Sequence, residues 1–283
     1  MYSSYGGPNG MQPPPRLLQR LGGYAIDAVL GQGAMAVVYR ARSPQGQMVA
    51  LKVLTEIAAS QPKLRTMFQN EYRITSRLKH PGVVQVRESG MIEGHFFIAM
   101  DLVQGKTLQD FQGKDKGLGE APSINLMRQL AGTLDFVHQQ QVVHRDLKPH
   151  NVLVAAGDVP VIADFGMASL GHVNRLTMTG QAVGTPAYMA PEQLDLGDSS
   201  PSIDLWALGV ILYEMVTGKV PFEAEGTLEV MRAIRHAVPP DVGSDVPTRL
   251  REVIEVLLQK EPGHRFPDAG STADVLEGIA ARG

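Results

Sequence analysis

The stretch Val142 to Asn151, VVHRDLKPHN, gathers His144, Arg145, Asp146, Lys148 and His150 between apolar residues and ends on Asn151. Mixed charge beside a proline ordinarily marks a solvated loop. The alternative is that Asp146, Lys148 and Asn151 are directed at a ligand. Further along, ADFG places Asp164 after an apolar run and before a glycine. A carboxylate at the end of a strand can ligate a hard cation, although Asp also caps turns. Asn151 lies across a short hairpin pattern, NVLVAAGDVPVIADFG, from Asp164. Together the two could hold magnesium between protein and phosphate oxygens.

Two signals lie nearer the N-terminus. In VALK, Lys52 sits among Val49, Ala50, Leu51 and Val53. A lysine inside an apolar strand asks for an anionic partner. Glu71, on the charged segment that follows, is a candidate, and exposure on an edge strand is the other reading. GQGAMAVV gives Gly31, Gly33 and Ala36 at the spacing of a glycine turn whose N–H groups could approach phosphates. A dinucleotide-binding turn needs a helix after its glycines. Here VVYRARS follows, a β-type run, so a hairpin over a nucleotide or an ordinary hairpin turn remains.

The elements that must position these residues follow from patterning. YAIDAVL, VVYRARS and MVALKVL read as three short strands joined by glycine-containing turns. PKLRTMFQNEYRITSRL carries Leu64, Met67, Phe68 and Tyr72 at helical spacing, and GVVQVRESG and HFFIAMDLV add two more strands. After QGKTLQDF the chain turns helical, with SINLMRQLAGTLDFVHQQQ, IDLWALGVILYEMVTG and TRLREVIEVLLQK as the main candidates. A polar loop is expected over 168–184. This division implies an α+β chain of two lobes joined near 100–105.

Bulk properties bound the function. With 283 residues the chain can bury a sizeable core. At 26 Lys+Arg against 29 Asp+Glu it gives no electrostatic reason to expect nucleic acid or a membrane surface as partner. Zero cysteines exclude disulfides and thiolate metal sites, which fits a cytoplasmic setting. The most apolar segment, Leu205 to Tyr213, is too short to span a bilayer and reads as a buried core helix. The N-terminal MYSSYGGPNGMQPPPR shows no secretory signal pattern and reads as a flexible tail, residues 1–20.

Taken in order, G-x-G-x-x-A-x-V, V-A-L-K, H-R-D-L-K-P-x-N, D-F-G and A-P-E resemble the signature set of the protein kinases, and in detail the bacterial Hanks-type serine/threonine kinases. The resemblance runs from about Tyr24 to Ile279. It implies the bilobal kinase fold, with a β-rich first lobe over 21–103 carrying one main helix, and a helical second lobe over 104–283. It also implies transfer of the γ-phosphate of ATP to Ser or Thr hydroxyls with Mg2+, or Mn2+.

By the same resemblance, Asp146 matches the base that accepts the hydroxyl proton, and Lys148 the lysine that neutralises the γ-phosphate. Lys52, held by Glu71, matches the clamp on the α and β phosphates, and Asn151 and Asp164 match the metal ligands. Leu30, Gly31, Gly33, Val38, Ala50, Met100, Asp101, Val103 and Leu153 fall at ATP-contacting positions, Met100 as gatekeeper and Asp101 to Val103 as the strand bonding adenine. Thr185 matches the threonine beside the catalytic Asp, and Thr177 and Thr179 resemble autophosphorylated threonines whose phosphates would pair with Arg145. His144, Asp204 and the pair Glu192–Arg265 are expected to be structural.

Three departures stand out. Ala36 replaces the third glycine of the nucleotide loop. Thr75 stands where the family places an apolar residue in a stack through His144 and Phe165, so a polar group there could loosen the helix. His150 and Thr107 occupy positions that are acidic in Arg-directed kinases. Two other functions stay open: a nucleotide-binding signalling scaffold without catalysis, and a small-molecule phosphotransferase. Protein substrates are the expected partners, with a dimer for phosphorylation in trans.

Overall fold

The computed structural model describes residues 18–113, 117–166, 168, 186–194 and 200–282. The tail to residue 17 and most of the loop of 168–184 therefore lie outside the described residues. Two compact units are present. One comprises the chain up to Ser76 together with Gln85–Leu102, and the other Arg77–Val84 together with the chain from Val103. The segment 77–84, which the sequence reading placed with the first lobe, thus belongs with the second. There Leu78 is fully buried and Val83 bridges to Ile162.

In the first unit, strands β1 (Arg20–Leu21), β2 (Tyr24–Gln32), β3 (Ala36–Arg42), β4 (Met48–Leu54), β5 (Val86–Ile92) and β6 (His95–Asp101) form one sheet. Its order is β1-β2-β3-β4-β6-β5, with every pairing antiparallel. The two-residue β1 was not visible in the sequence pattern. Alternation along β4 does the positioning: Val49, Leu51 and Val53 enter a core with Tyr24, Val37, Tyr39 and Phe97, while Ala50 and Lys52 stand on the opposite face. A short helix α1 (Glu56–Ala59) precedes α2 (Pro62–Thr75), which opens with proline in its first turn. Met67, Phe68, Glu71 and Thr75 form its buried stripe, so the spacing that buries Phe68 also buries Glu71.

The second unit begins with β7 (Gly105–Thr107) and α3 (Leu108–Gln112), followed by the long helix α4 (Glu120–Gln139). Strands β8 (Val152–Ala155) and β9 (Val159–Ile162) join β7 in a small antiparallel sheet of order β7-β8-β9. Then come α5 (Pro191–Leu194), α6 (Ser202–Thr217), α7 (Thr227–His236), α8 (Thr248–Leu257) and α9 (Ala269–Ala280). Helix α6 is buried continuously from Ile203 to Met215, the core helix that its apolar run predicts. Gly209 lets α6 approach α8 closely, because a Cβ there would lie 2.7 Å from the Leu257 Cβ.

Beside this core sits a polar cluster built around Arg265. Arg265 spends all five N–H donors on both Glu192 carboxylate oxygens and the carbonyls of Gln259, Lys260 and Ser202. Beside it Lys260 donates to the Ile234 carbonyl at 2.7 Å and lies over the stacked rings of Phe222 and Trp206, 4.0 and 4.9 Å from their centroids. Burial and the Arg265 charge push the Lys260 ammonium down to about 8. The folded value lies below the ordinary 10.5, so its cost to stability is in full below pH 8 and is relieved as pH rises from 8 to 10.5. Urea unfolding of the wild type should therefore gain stability over that window relative to Lys260→Met. Parallel curves for the two proteins would refute this.

Candidate active site

In the first unit, the Lys52 Nζ donates to both carboxylate oxygens of Glu71, at 2.7 and 2.8 Å. Their side chains are only 12% and 8% exposed, so each charge depends on the other to remain inside. The β3–β4 register sets Val38 opposite Lys52, and the β4–β6 register sets Ala50 opposite Met100. Asp101 ends β6; its N–H donates to the Gln85 carbonyl and its carboxylate pairs with Arg87.

The glycines of the β2–β3 turn behave unusually for turn glycines. Neither Gly31 nor Gly33 has a positive φ. Among the described residues, a Cβ at Gly31 would meet nothing within 4 Å, and one at Gly33 only the Ala36 carbonyl at 3.7 Å. The packing of the described residues thus leaves room for a Cβ at both glycines. Thr75 does not carry the desolvation cost anticipated from its type. It is 3% exposed, and its hydroxyl donates to the Glu71 carbonyl at 2.8 Å within the helix.

In the second unit, the loop His144–Asn151 converges on one carboxylate. Lys148 Nζ donates to Asp146 Oδ2 at 2.8 Å; the Asn151 amide nitrogen donates to the Asp146 carbonyl at 2.8 Å and reaches Oδ2 at 3.4 Å. The short helical turn Pro149–Asn151 makes this possible by returning the chain, with the Asn151 N–H on the Lys148 carbonyl. The Asn151 carbonyl in turn accepts from the Ala163 N–H, which ties the loop to the residue before Asp164. His144 supplies a second tie. Its Nδ1 accepts from the Asp146 N–H at 3.3 Å and its Nε2 donates to the Ala163 carbonyl at 3.1 Å, which fixes the tautomer. The ring is fully buried, edge-on to Phe165 at 4.8 Å.

Arg145 and Asp164 both adopt left-handed backbone, with φ of 66° and 62°. Residues with a Cβ rarely do so unless their surroundings hold them. For Asp164 the Gly166 N–H donates back to Oδ1 at 3.2 Å. For Arg145 the anchor is Asp204, fully buried on α6. Its two oxygens accept from the His144 N–H at 2.8 Å and the Arg145 N–H at 2.9 Å, and Oδ2 also meets His138 Nε2 at 2.8 Å. Burial pushes this carboxyl up, but the bond from His138, the fields of His138 and His144 and the His144 N–H outweigh burial and hold it below its ordinary value. Arg145 responds in the opposite sense: burial lowers its guanidinium, with Asp204 opposing.

The structure thus brings together Asp146, Lys148 and Asn151, with Asp164 tied to them through Ala163, and separately Lys52 with Glu71. Leu30 is half-buried in β2, while Val103 and Leu153 lie in the second unit, Leu153 opposite Thr107 on the small sheet. Thr177, Thr179 and Thr185 lie outside the described residues. Two residues that the sequence reading did not single out hold the loop: His138, on Asp204, and Gln193, which donates to the Arg145 carbonyl at 3.0 Å.

The protein kinase domain family matches residues 24–274. The serine/threonine-protein kinase PknA of Mycobacterium tuberculosis is 34% identical over 274 residues, covering 94% of this chain and 64% of that protein. The serine/threonine-protein kinase PknE of the same organism is 34% identical over 255 residues, covering 89% of this chain and 45% of that one. Among solved structures, the kinase domain of M. tuberculosis PknI aligns with a TM-score of 0.71 at 28% identity, over 92% of this chain and 97% of that one. The chain belongs to the protein kinase family and has its fold, with a β-sheet N-lobe and a helical C-lobe. It spans less than two thirds of the length of these curated relatives.

The arrangement around Asp204 generates a prediction. Asp204→Asn would turn an amide NH2 toward one of three donors inside the core, so stability should fall by ~3 kcal/mol. Because the native carboxyl sits below 3.8, that stability is in place above pH 3.8 and is lost as pH falls below it. Urea unfolding of the two proteins at neutral pH and near pH 3 should show the gap narrowing with acid. A constant gap would contradict it.

Proposed function

We propose that the protein is an ATP-dependent serine/threonine protein kinase, transferring the γ-phosphate to Ser and Thr hydroxyls of protein substrates. The observation that carries this reading is the convergence of Lys148 and Asn151 on the Asp146 carboxylate. In this reading Asp146 accepts the proton of an incoming hydroxyl, and Lys148 balances the charge on the transferred phosphoryl group. Phosphoryl transfer needs positioning and charge neutralisation more than covalent chemistry, and no nucleophile on the protein is required. Lys52, held by Glu71, is the clamp for the α and β phosphates.

Asn151 and Asp164 fit a divalent cation, Mg2+ or Mn2+. The Asn151 nitrogen is committed to the Asp146 carbonyl, so its oxygen is the end left to ligate, and the donor pair of amide and carboxylate oxygens is hard. Held there, the metal would supply positive charge that offsets the negative charge of the phosphate groups. Neither Thr107 nor His150 offers a carboxylate to a basic substrate residue. Thr107 caps α3 through its hydroxyl, and partial burial and Lys148 push the His150 ring down toward the neutral form. A strong preference for basic residues before the acceptor is therefore not part of the proposal. We place the reaction in the cytoplasm. No helix among the described residues is long and apolar enough to cross a membrane.

Asp164→Asn is the sharpest test of the metal role, since Asn tolerates the left-handed backbone and changes charge without size. Metal-dependent transfer of label from ATP to casein should fall by ~10²-fold or more with the fold intact. Lys52→Met should fall comparably. Wild-type rates in both variants would remove the kinase assignment of these residues, and an inert wild type that still binds nucleotide would favour a scaffold.

Regulation is proposed to run through Thr177 and Thr179, phosphorylated in trans between two copies. A phosphate there carries about −1.5 to −2 charge and would be drawn to Arg145, next to the base. Replacing both threonines with Ala should lower activity at least about tenfold in protein able to phosphorylate itself. Equal rates for wild type and double variant would end the switch proposal.

A further inference from the structure

Arg145 presents a mechanical problem. Its left-handed φ of 66° is disfavoured for a residue with a Cβ, and relaxation would rotate the next peptide, on which Asp146 stands. Asp204 Oδ1 holds the peptide on the N-terminal side by accepting the Arg145 N–H at 2.9 Å. The peptide on the C-terminal side is the one that carries Asp146, and its carbonyl is gripped from elsewhere: Gln193 Nε2 donates to the Arg145 carbonyl at 3.0 Å.

Gln193 is itself fixed. Helix α5 starts at Pro191, so Ala190 precedes its first turn and Gln193 falls on the third helical position. The Ala190 N–H donates to Gln193 Oε1 at 2.8 Å, and the Gln193 N–H donates to the Ala190 carbonyl at 3.0 Å. The side-chain bond is the half of a capping box that a Glu or Gln supplies, reaching back to the N–H that precedes its own helix, while Ala190 has no side chain to return it. Capping uses only the oxygen, and Glu would do it as well. A carboxamide has one further capability, an N–H on the other arm, and here that arm reaches a residue 48 positions away in sequence.

We propose that Gln193 is a positioning residue for Asp146. Its oxygen anchors it to the start of α5, and its amide nitrogen fixes the Arg145–Asp146 peptide, so the A-P-E segment and the catalytic loop are registered through a single carboxamide. With Asp204 on one side and Gln193 on the other, both peptides of the strained residue are clamped. The role rests on the reading of Asp146 as the base of phosphoryl transfer; the clamp itself does not.

Two variants separate the two arms. In Gln193→Glu the capping oxygen survives, while the ionised carboxylate cannot donate to the Arg145 carbonyl; on protonation an O–H donor returns. Gln193→Met loses both arms at every pH. Gln193→Glu should stay folded by far-UV circular dichroism, and steady-state kinetics of the full chain are then read with ATP, Mg2+ and dephosphorylated casein. Its kcat should be down ~10-fold near neutral pH with KM for ATP within about twofold.

The ratio of Gln193→Glu to wild-type kcat should rise as pH is lowered, whereas the ratio for Gln193→Met should stay low and flat. A Gln193→Glu enzyme at wild-type kcat, a change confined to KM, or a ratio independent of pH would overturn the proposal. Hydrogen exchange gives a readout free of the functional reading. In Gln193→Glu at neutral pH, amides of 142–151 should exchange ~10-fold faster than in wild type. Unchanged exchange would overturn the clamp even in a protein without kinase activity, and faster exchange in such a protein would leave the clamp standing while the kinase reading fell.

Discussion

A single buried carboxylate sets the geometry of the second unit. Asp204 has no exposed surface, yet it remains charged because two backbone N–H groups and one imidazole converge on it. Those backbone groups belong to His144 and Arg145, the residues directly before Asp146. Helix α6, buried from Ile203 to Met215, therefore sets where the loop 144–151 lies. From that anchor His144 reaches on to the Ala163 carbonyl, and Asn151 to the Ala163 N–H, so the position of Asp164 descends from the same carboxylate. Removing a charge held this way costs more than the bonds it makes, because the donors it served stay buried.

The first unit solves a similar problem with different parts. Lys52 and Glu71 neutralise each other inside a largely apolar unit, on a face that β4 turns away from its own core. Such a pair adds little net stability compared with apolar residues of the same size. Under the proposed function, the pair holds a largely buried ammonium at a defined place, where an anionic ligand would meet a stronger field than in water.

Much of this was legible in the sequence because it depends on local chemistry. MVALKVL reads as a strand whose Lys52 asks for an anion with Glu71 as candidate, and the structure pairs the two; the apolar run from Leu205 reads as a buried helix, and it is one. The stretch itself leaves the grouping of Asp146, Lys148 and Asn151 open; it is expected only through the resemblance to the kinase signature set, and the structure brings the three together. What stayed hidden depends on distant partners. Strand β1 has two residues, and only pairing with Tyr24 and Ala25 defines it. Helix α9 has small side chains at many of its positions, and its start is set by Asp268 capping Ser271 rather than by periodicity. Residues 77–84 join the second unit through a bridge to Ile162 that no local pattern announces. His138 and Gln193 serve groups 66 and 48 positions away, so nothing in their neighbourhoods marks them. At Thr75 the residue type does not reveal the hydroxyl's partner, which is the Glu71 carbonyl one turn back in the same helix.

The central claim, that this constellation transfers phosphoryl groups from ATP to hydroxyls, is tested most directly by the mass of the purified protein itself. Peptide mapping before and after incubation with ATP and Mg2+, with a chelator as control, reads activity and acceptor chemistry together. The account predicts phosphate gained on Ser or Thr only when metal is present. No gain in mass, or phosphate found on tyrosine or histidine instead, would contradict it.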